Sequence, residues 1–138
     1  MDEVTGLLES ELAALFTQDA VVDCPVLSGA SAEERPDEYV SIVAVDSEYR
    51  AARAYIVEVE FRCVVPLDEP LAASRCKGRL RKVTDYLSGP RLSIAGAIGS
   101  GAATLELSGF VMRAIKREFG ERSCAEIVRV RFGVSAIS

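Results

Sequence analysis

The chain has 138 residues, is 49% hydrophobic and 27% charged, and carries a formal charge of −5. That is long enough for one domain with a real core and too apolar for a disordered chain. No apolar run approaches the roughly 18–20 residues of a membrane-spanning helix, and there is no histidine to serve as a proton shuttle near neutral pH.

The acidic opening, MDEVTGLLESELAALF, lacks the basic start of a secretory signal, so export by that route is not expected. Val4, Leu7, Leu8, Leu12, Leu15 and Phe16 recur at three- and four-residue intervals and predict an amphipathic helix. Asp2 is a candidate cap at its start, and Gln18-Asp19 is the expected end. Ala20-Val21-Val22 reads as a short strand stopped by Cys24-Pro25. Residues 28–38, SGASAEERPDE, offer almost nothing to bury and predict a mobile surface loop.

Tyr39 to Val45 follows as a strand, with Ser47 to Arg50 as a turn region. Arg53 to Val65 alternates most cleanly. Tyr55, Val57, Val59, Phe61, Cys63 and Val65 share one face, and Glu58, Glu60 and Arg62 share the other. Pro66 cannot donate to a ladder and should end this strand. Asp68 is then placed to cap a helix, with Glu69 and Pro70 in its first turn. Along that helix Ala73, Cys76, Leu80, Val83 and Leu87 form an apolar stripe, Arg75, Lys77, Arg79, Arg81 and Lys82 cover the rest, and Gly89-Pro90 stops it.

Residues 91–103, RLSIAGAIGSGAA, read as a glycine-rich, mobile connection. Two strands complete the chain, Leu105–Glu118 and Cys124–Ala136, with Phe119 to Ser123 as a hairpin loop. Val128, Val130, Phe132 and Val134 share one side of the last strand; Arg129 and Arg131 share the other, within reach of Glu58 and Glu60 if the strands are neighbours. The expected fold is a single α+β domain over residues 1–138. Its sheet is mostly antiparallel, with four to five strands and two helices packed on one face, in the order α-β-β-β-α-β-β.

The chemistry-bearing residues are sparse. Cys24, Cys63, Cys76 and Cys124 are scattered without a CxxC pair, so zinc would need all four to converge; reduced, mostly buried thiols in a cytoplasmic protein are the better reading. The bases around Cys76 raise a reactive thiol, hence a thiol enzyme or small-molecule domain, but its place on the apolar stripe favours an inert one. Gly96 to Gly101 lacks the lysine and hydroxyl residue of a phosphate-binding loop and precedes a strand. Lys77, Arg79 and Arg81 share no helical face, and the acidic total opposes nonspecific phosphate affinity, so a nucleic-acid module over Arg75–Lys82 is a lesser alternative. No enzyme is expected, and no cofactor or metal. Charge is nevertheless unevenly spread: residues 1–50 hold twelve acids and two bases, residues 51–138 fourteen bases and nine acids. Complementary halves of this kind suit head-to-tail docking of identical copies as well as neutralisation within one subunit.

The succession of an N-terminal amphipathic helix, a polar loop, Pro36-Asp37-Glu38-Tyr39-Val40, Tyr55 to Pro66, a helix, and a closing hairpin on Ile127 to Phe132 resembles the tail terminator, or tail-completion, proteins of long-tailed bacteriophages. The resemblance is of element order and texture over nearly the whole chain. It implies a non-enzymatic virion protein of the tail and neck, assembled in the host cytoplasm. Such a protein forms a ring, typically of six copies, that caps the tail tube, stops its polymerisation and meets the head connector. DNA would pass through the lumen unread, and acids of residues 1–50 are expected to line it. Another neck or head-completion protein is the neighbouring alternative. Arg75, Arg79, Lys82, Arg129 and Arg131, with Glu33, Glu34 and Asp37, are the candidate contacts with copies and partners.

Overall fold

The computed structural model describes residues 3–29, 36–51, 54–68, 71–88, 92–98 and 101–137. Helix α1 (Glu3–Gln18) opens the chain. Leu8, Leu12 and Phe16, spaced at four, are completely buried, with Thr5 at the start of the same line. The helix ends in a Schellman turn: the Val21 N–H donates to the Phe16 carbonyl (3.0 Å) and the Ala20 N–H to that of Thr17 (3.3 Å). Ala20 supplies the left-handed residue (φ 48°) that such a turn needs.

Strands β1 (Val26–Ser28), β2 (Tyr39–Ala51) and β3 (Ala54–Pro66) come next, then α2 (Ala72–Leu87), then β4 (Leu92–Ile98), β5 (Gly101–Phe119) and β6 (Ser123–Ile137). They form one six-stranded sheet in the order β1-β2-β3-β6-β5-β4. β1 runs parallel to β2 and every other pair is antiparallel. β3 is the spine, paired with β2 from Ala54 to Val64 on one side and with β6 along its whole length on the other.

Both helices lie on one face. Val57, Val59, Phe61, Cys63 and Val65 of β3 are buried beneath them with Val40 and Ile42 of β2 and Val128, Val130 and Phe132 of β6. Phe16 joins the layers, with its ring centroid 6.0 Å from Phe61 and 5.5 Å, edge-on, from Tyr86 of α2. The Tyr86 hydroxyl donates to Asp19 (2.7 Å), and burial together with that bond pushes its pKa up to about 12. α2 packs over β3 and β6, whereas α1 touches β1, β2 and also β4, which lies at the far end of the strand order. The sheet therefore curls round the helices. Register shifts in β5 between Ser108 and Val111, and between Met112 and Ala114, supply the bend, because each extra residue kinks and twists its strand.

Several expectations need correction. Among the described residues the sheet has six strands rather than four or five; it is mostly antiparallel, with one parallel pair, and the order is α-β-β-β-α-β-β-β. The extra strand lies in the supposed connection at 91–103: β4 pairs with β5 from Leu92↔Leu107 to Ile98↔Gly101. A stretch of glycine and alanine carries little side-chain pattern, and backbone pairing decides its state. The first short strand is Val26–Ser28, not Ala20–Val22, whose residues follow directly from the end of α1. Ser47 to Arg50 continue β2 instead of turning. Asp68 does not cap α2; the position before the helix is Leu71, left-handed (φ 59°) and without a side-chain cap. Asp2, the acids Glu33 and Glu34, and most of the polar loop lie outside the described residues. No helix among the described residues is long and apolar enough to cross a membrane.

Candidate assembly interface

β5 consists of two unlike halves. Its first half is sandwiched between β4 and β6, but β4 reaches only Leu107. From Val111 to Phe119 the strand pairs with β6 alone, and no described strand pairs with its other edge. This open half displays Val111, Met112, Ile115 and Phe119 at 52, 42, 66 and 65% exposure. An unpaired edge with apolar side chains is a template for another chain, and natural monomers usually blunt such edges.

The register places these side chains. Met112, Ile115, Arg117 and Phe119 stand opposite Val130, Val128, Glu126 and Cys124, so they share the helix-bearing face. There Met112, Ile115 and Arg117 border a groove of about 500 Å³ beside α2, lined also by Leu80, Thr84 and Val128, with Lys77, Arg81, Lys116 and Arg117 contributing positive charge. Glu126 closes the groove: it is nearly completely buried and accepts two hydrogen bonds from Arg117, at 2.8 and 3.3 Å. Both bonds fall on one oxygen, Oε1; the pair covers a carboxylate on an otherwise apolar face and raises the already high pKa of Arg117. α2 covers β3 and β6 and stops short of β5, leaving a basic, apolar-floored channel along the open edge.

The opposite face of the sheet is a charge ladder. Glu58 stands across from Arg131 and Glu60 from Arg129, the neighbours expected from alternation. Their ion pairs measure 4.0 and 3.5 Å, and Arg62 reaches Glu118 at 3.2 Å. Glu118 is held below the usual carboxylate range by Lys116 first and Arg62 second. Arg129 and Arg131 thus have partners within the chain while remaining about half exposed. Each such pair is worth little alone.

The arginines of α2 are distributed differently from the expectation. Arg79 is no surface contact: its side chain is only 8% exposed. Its Nε donates to Asp23 (2.7 Å) and its guanidinium also meets Glu38. Arg75 joins Glu38 at 3.3 Å. These bonds clasp the segment before β1, at Asp23, and the residue before β2, Glu38, onto α2, so both arginines serve the fold. The hydrogen bond from Arg79 holds the Asp23 carboxyl below its ordinary value. Lys82 and Asp37 are exposed, Asp37 beside Glu38, Asp68 and Glu121 in a second hollow. The candidate contacts therefore do not gather into one patch.

Cys63, Cys76 and Cys124 are fully buried and form no disulfide. The Cys76 thiol donates to the carbonyls of Cys63 (3.4 Å) and Cys124 (3.7 Å), a structural role for a thiol in a core. Contact with Cys76 and burial push the Cys63 thiol far up. Cys24 is half-buried, and burial raises its pKa to about 11. Among the described residues no group of three or more acidic, cysteine or histidine side chains is arranged to hold a metal ion.

Met112, Ile115 and Phe119 were not singled out by sequence reasoning, which identified the strand but not its position at the rim. A signal was present: Arg113, Lys116 and Arg117 are packed among apolar residues within nine positions, the kind of charge that guards an exposed edge. No family model matches the chain, and no curated protein matches it. A solved structure is similar over 96% of this chain and 93% of its own, at 14% identity with a TM-score of 0.53, which is a likeness of fold.

Proposed function

We propose that the chain is a structural assembly protein of a phage virion, a tail terminator whose copies form a ring on the tail tube, stop its growth and offer the surface that meets the head. The observation that carries this reading is the open half of β5, where a nine-residue strand with four exposed apolar side chains lies along a groove. Such a surface gains from being covered by protein. Paired with a different edge of the next copy, it would make heterologous contacts, the kind that closes rings. A small α+β fold with two helices on one face of a mostly antiparallel sheet is compatible with this reading. Within this reading the tube protein and a head connector are the further partners, DNA crosses the lumen without being read, and the acids of residues 1–50 keep it from adhering.

Light scattering after size exclusion on the full chain, alone and with elongating tail-tube protein, tests the proposal. The expected result is an oligomer of about six 14.8-kDa subunits, free or on tube ends, and tubes that cease to lengthen. Ile115→Lys should abolish it while leaving the circular dichroism of the monomer unchanged. A wild-type chain that stays monomeric at every concentration and leaves tube growth unaffected would refute the reading.

A further inference from the structure

The open β5 edge has a complement on the same molecule. At the other end of the sheet, β1 covers β2 only at Val40 to Ile42, and the next edge group, the Ala44 N–H, is occupied by the Glu9 carboxylate (3.0 Å). From Asp46 onward no described strand pairs with the outer edge of β2. This stretch displays Asp46, Glu48 and Tyr49, all exposed. The register with β3 puts Asp46 and Glu48 on the face of the charge ladder, opposite Glu58 and Ile56. Tyr49, opposite and edge-on to Tyr55 (5.4 Å), lies on the helix-bearing face.

The geometry points to head-to-tail sheet extension, in which β5 from Val111 to Phe119 of one copy pairs with the outer half of β2 of the next. This rests on the assembly reading above and names its contact. Side chains alternate with a period of two, so joining the sheets face to face fixes which residues meet. On the helix side, Tyr49 comes beside Ile115 and its exposed neighbours; on the other side, Glu48 comes beside Lys116. Apolar area is covered and opposite charges are brought together. A two-fold pairing of β5 with itself would instead bring Lys116 and Arg117 of both copies together, and like charges across a ladder are destabilising. The charge difference between the two edges therefore selects a second copy, offered end to end.

Two measurements test this. In a Cys24→Ser background, copies carrying Tyr49→Cys are mixed with copies carrying Ile115→Cys and treated with a short bismaleimide. A mixed 49–115 adduct is expected, with little 115–115 product. Separately, Lys116→Glu and Glu48→Lys should each weaken association about tenfold at low salt, and the double variant should recover most of the loss. An oligomer lacking the 49–115 adduct and showing no recovery would overturn this pairing and leave self-assembly standing. A chain that is monomeric both alone and on tubes would overturn both.

Discussion

β3 and the open half of β5 are written in similar sequence, apolar residues interleaved with charges, yet they meet opposite fates. Along β3, Val57, Val59, Phe61, Cys63 and Val65 are buried without remainder, because β2 and β6 flank the strand and both helices lie over that face. Along β5, Ile115 and Phe119 are mostly exposed, because β4 stops at Leu107 and α2 does not extend over them. Alternation states that a residue belongs to a strand with two unlike faces; it does not state how many neighbours that strand has. What stabilises the monomer is concentrated in the first region, and the apolar surface it leaves exposed is prominent in the second.

Substitution separates the two regions most sharply at their largest side chains. Phe61→Ala should cost about 3–5 kcal/mol in urea denaturation, since it removes a ring packed against Phe16 and leaves a cavity. Ile115→Ala should stay within about 0.5 kcal/mol in the same assay while weakening self-association. Equal losses at the two sites would erase the distinction.

The Arg79 clasp belongs with the stable region, although its residue type suggests a surface. Arg79→Met should lower stability by about 1.5–3 kcal/mol, because charged hydrogen bonds are lost and the partly buried Glu38 is left with Arg75 alone. The same variant should return the Asp23 pKa upward toward 3.8 in a carboxyl-detected NMR titration. The sign follows from linkage. The folded-state value of Asp23 is depressed, so its contribution is present above the unfolded pKa and is lost as pH falls through the folded one. Acid should therefore narrow the gap between wild type and Arg79→Met, and a gap constant down to pH 2 would remove Asp23 from the account. Asp23 is mostly exposed, so its own share of the loss is the smaller part.

The smallest effect is expected on the ladder between the regions. A double-mutant cycle on Glu60 and Arg129 should give a coupling of about 0.2–1 kcal/mol, declining with salt. A larger, salt-insensitive value would mean that the ladder contributes to the core in its own right.

Much of the fold was legible because local physics wrote it. The four-residue spacing of Leu8, Leu12 and Phe16 marked α1, the two-residue spacing from Tyr55 to Val65 marked β3 and its buried face, and Pro66 marked the end of that strand. Glu58 and Glu60 facing Arg131 and Arg129 followed from the same alternation once β3 and β6 were neighbours. β4 was missed because its glycines and alanines carry no periodicity of their own, and Arg79 was misjudged because only Asp23 and Glu38, distant in sequence, make a buried arginine tolerable.

The candidate interface divides in the same way. By itself the sequence determined that the segment from Leu105 to Glu118 is a strand, that bases stud it, and that the chain is acidic in its first fifty residues and basic afterwards. Only the tertiary structure decided that β4 leaves the second half of β5 unpaired, and that the outer half of β2 is unpaired at the opposite end. The reason is physical: hydrophobic period and charge are properties of neighbouring residues, whereas being an edge is the absence of a distant partner, and that exists only after the sheet has been assembled.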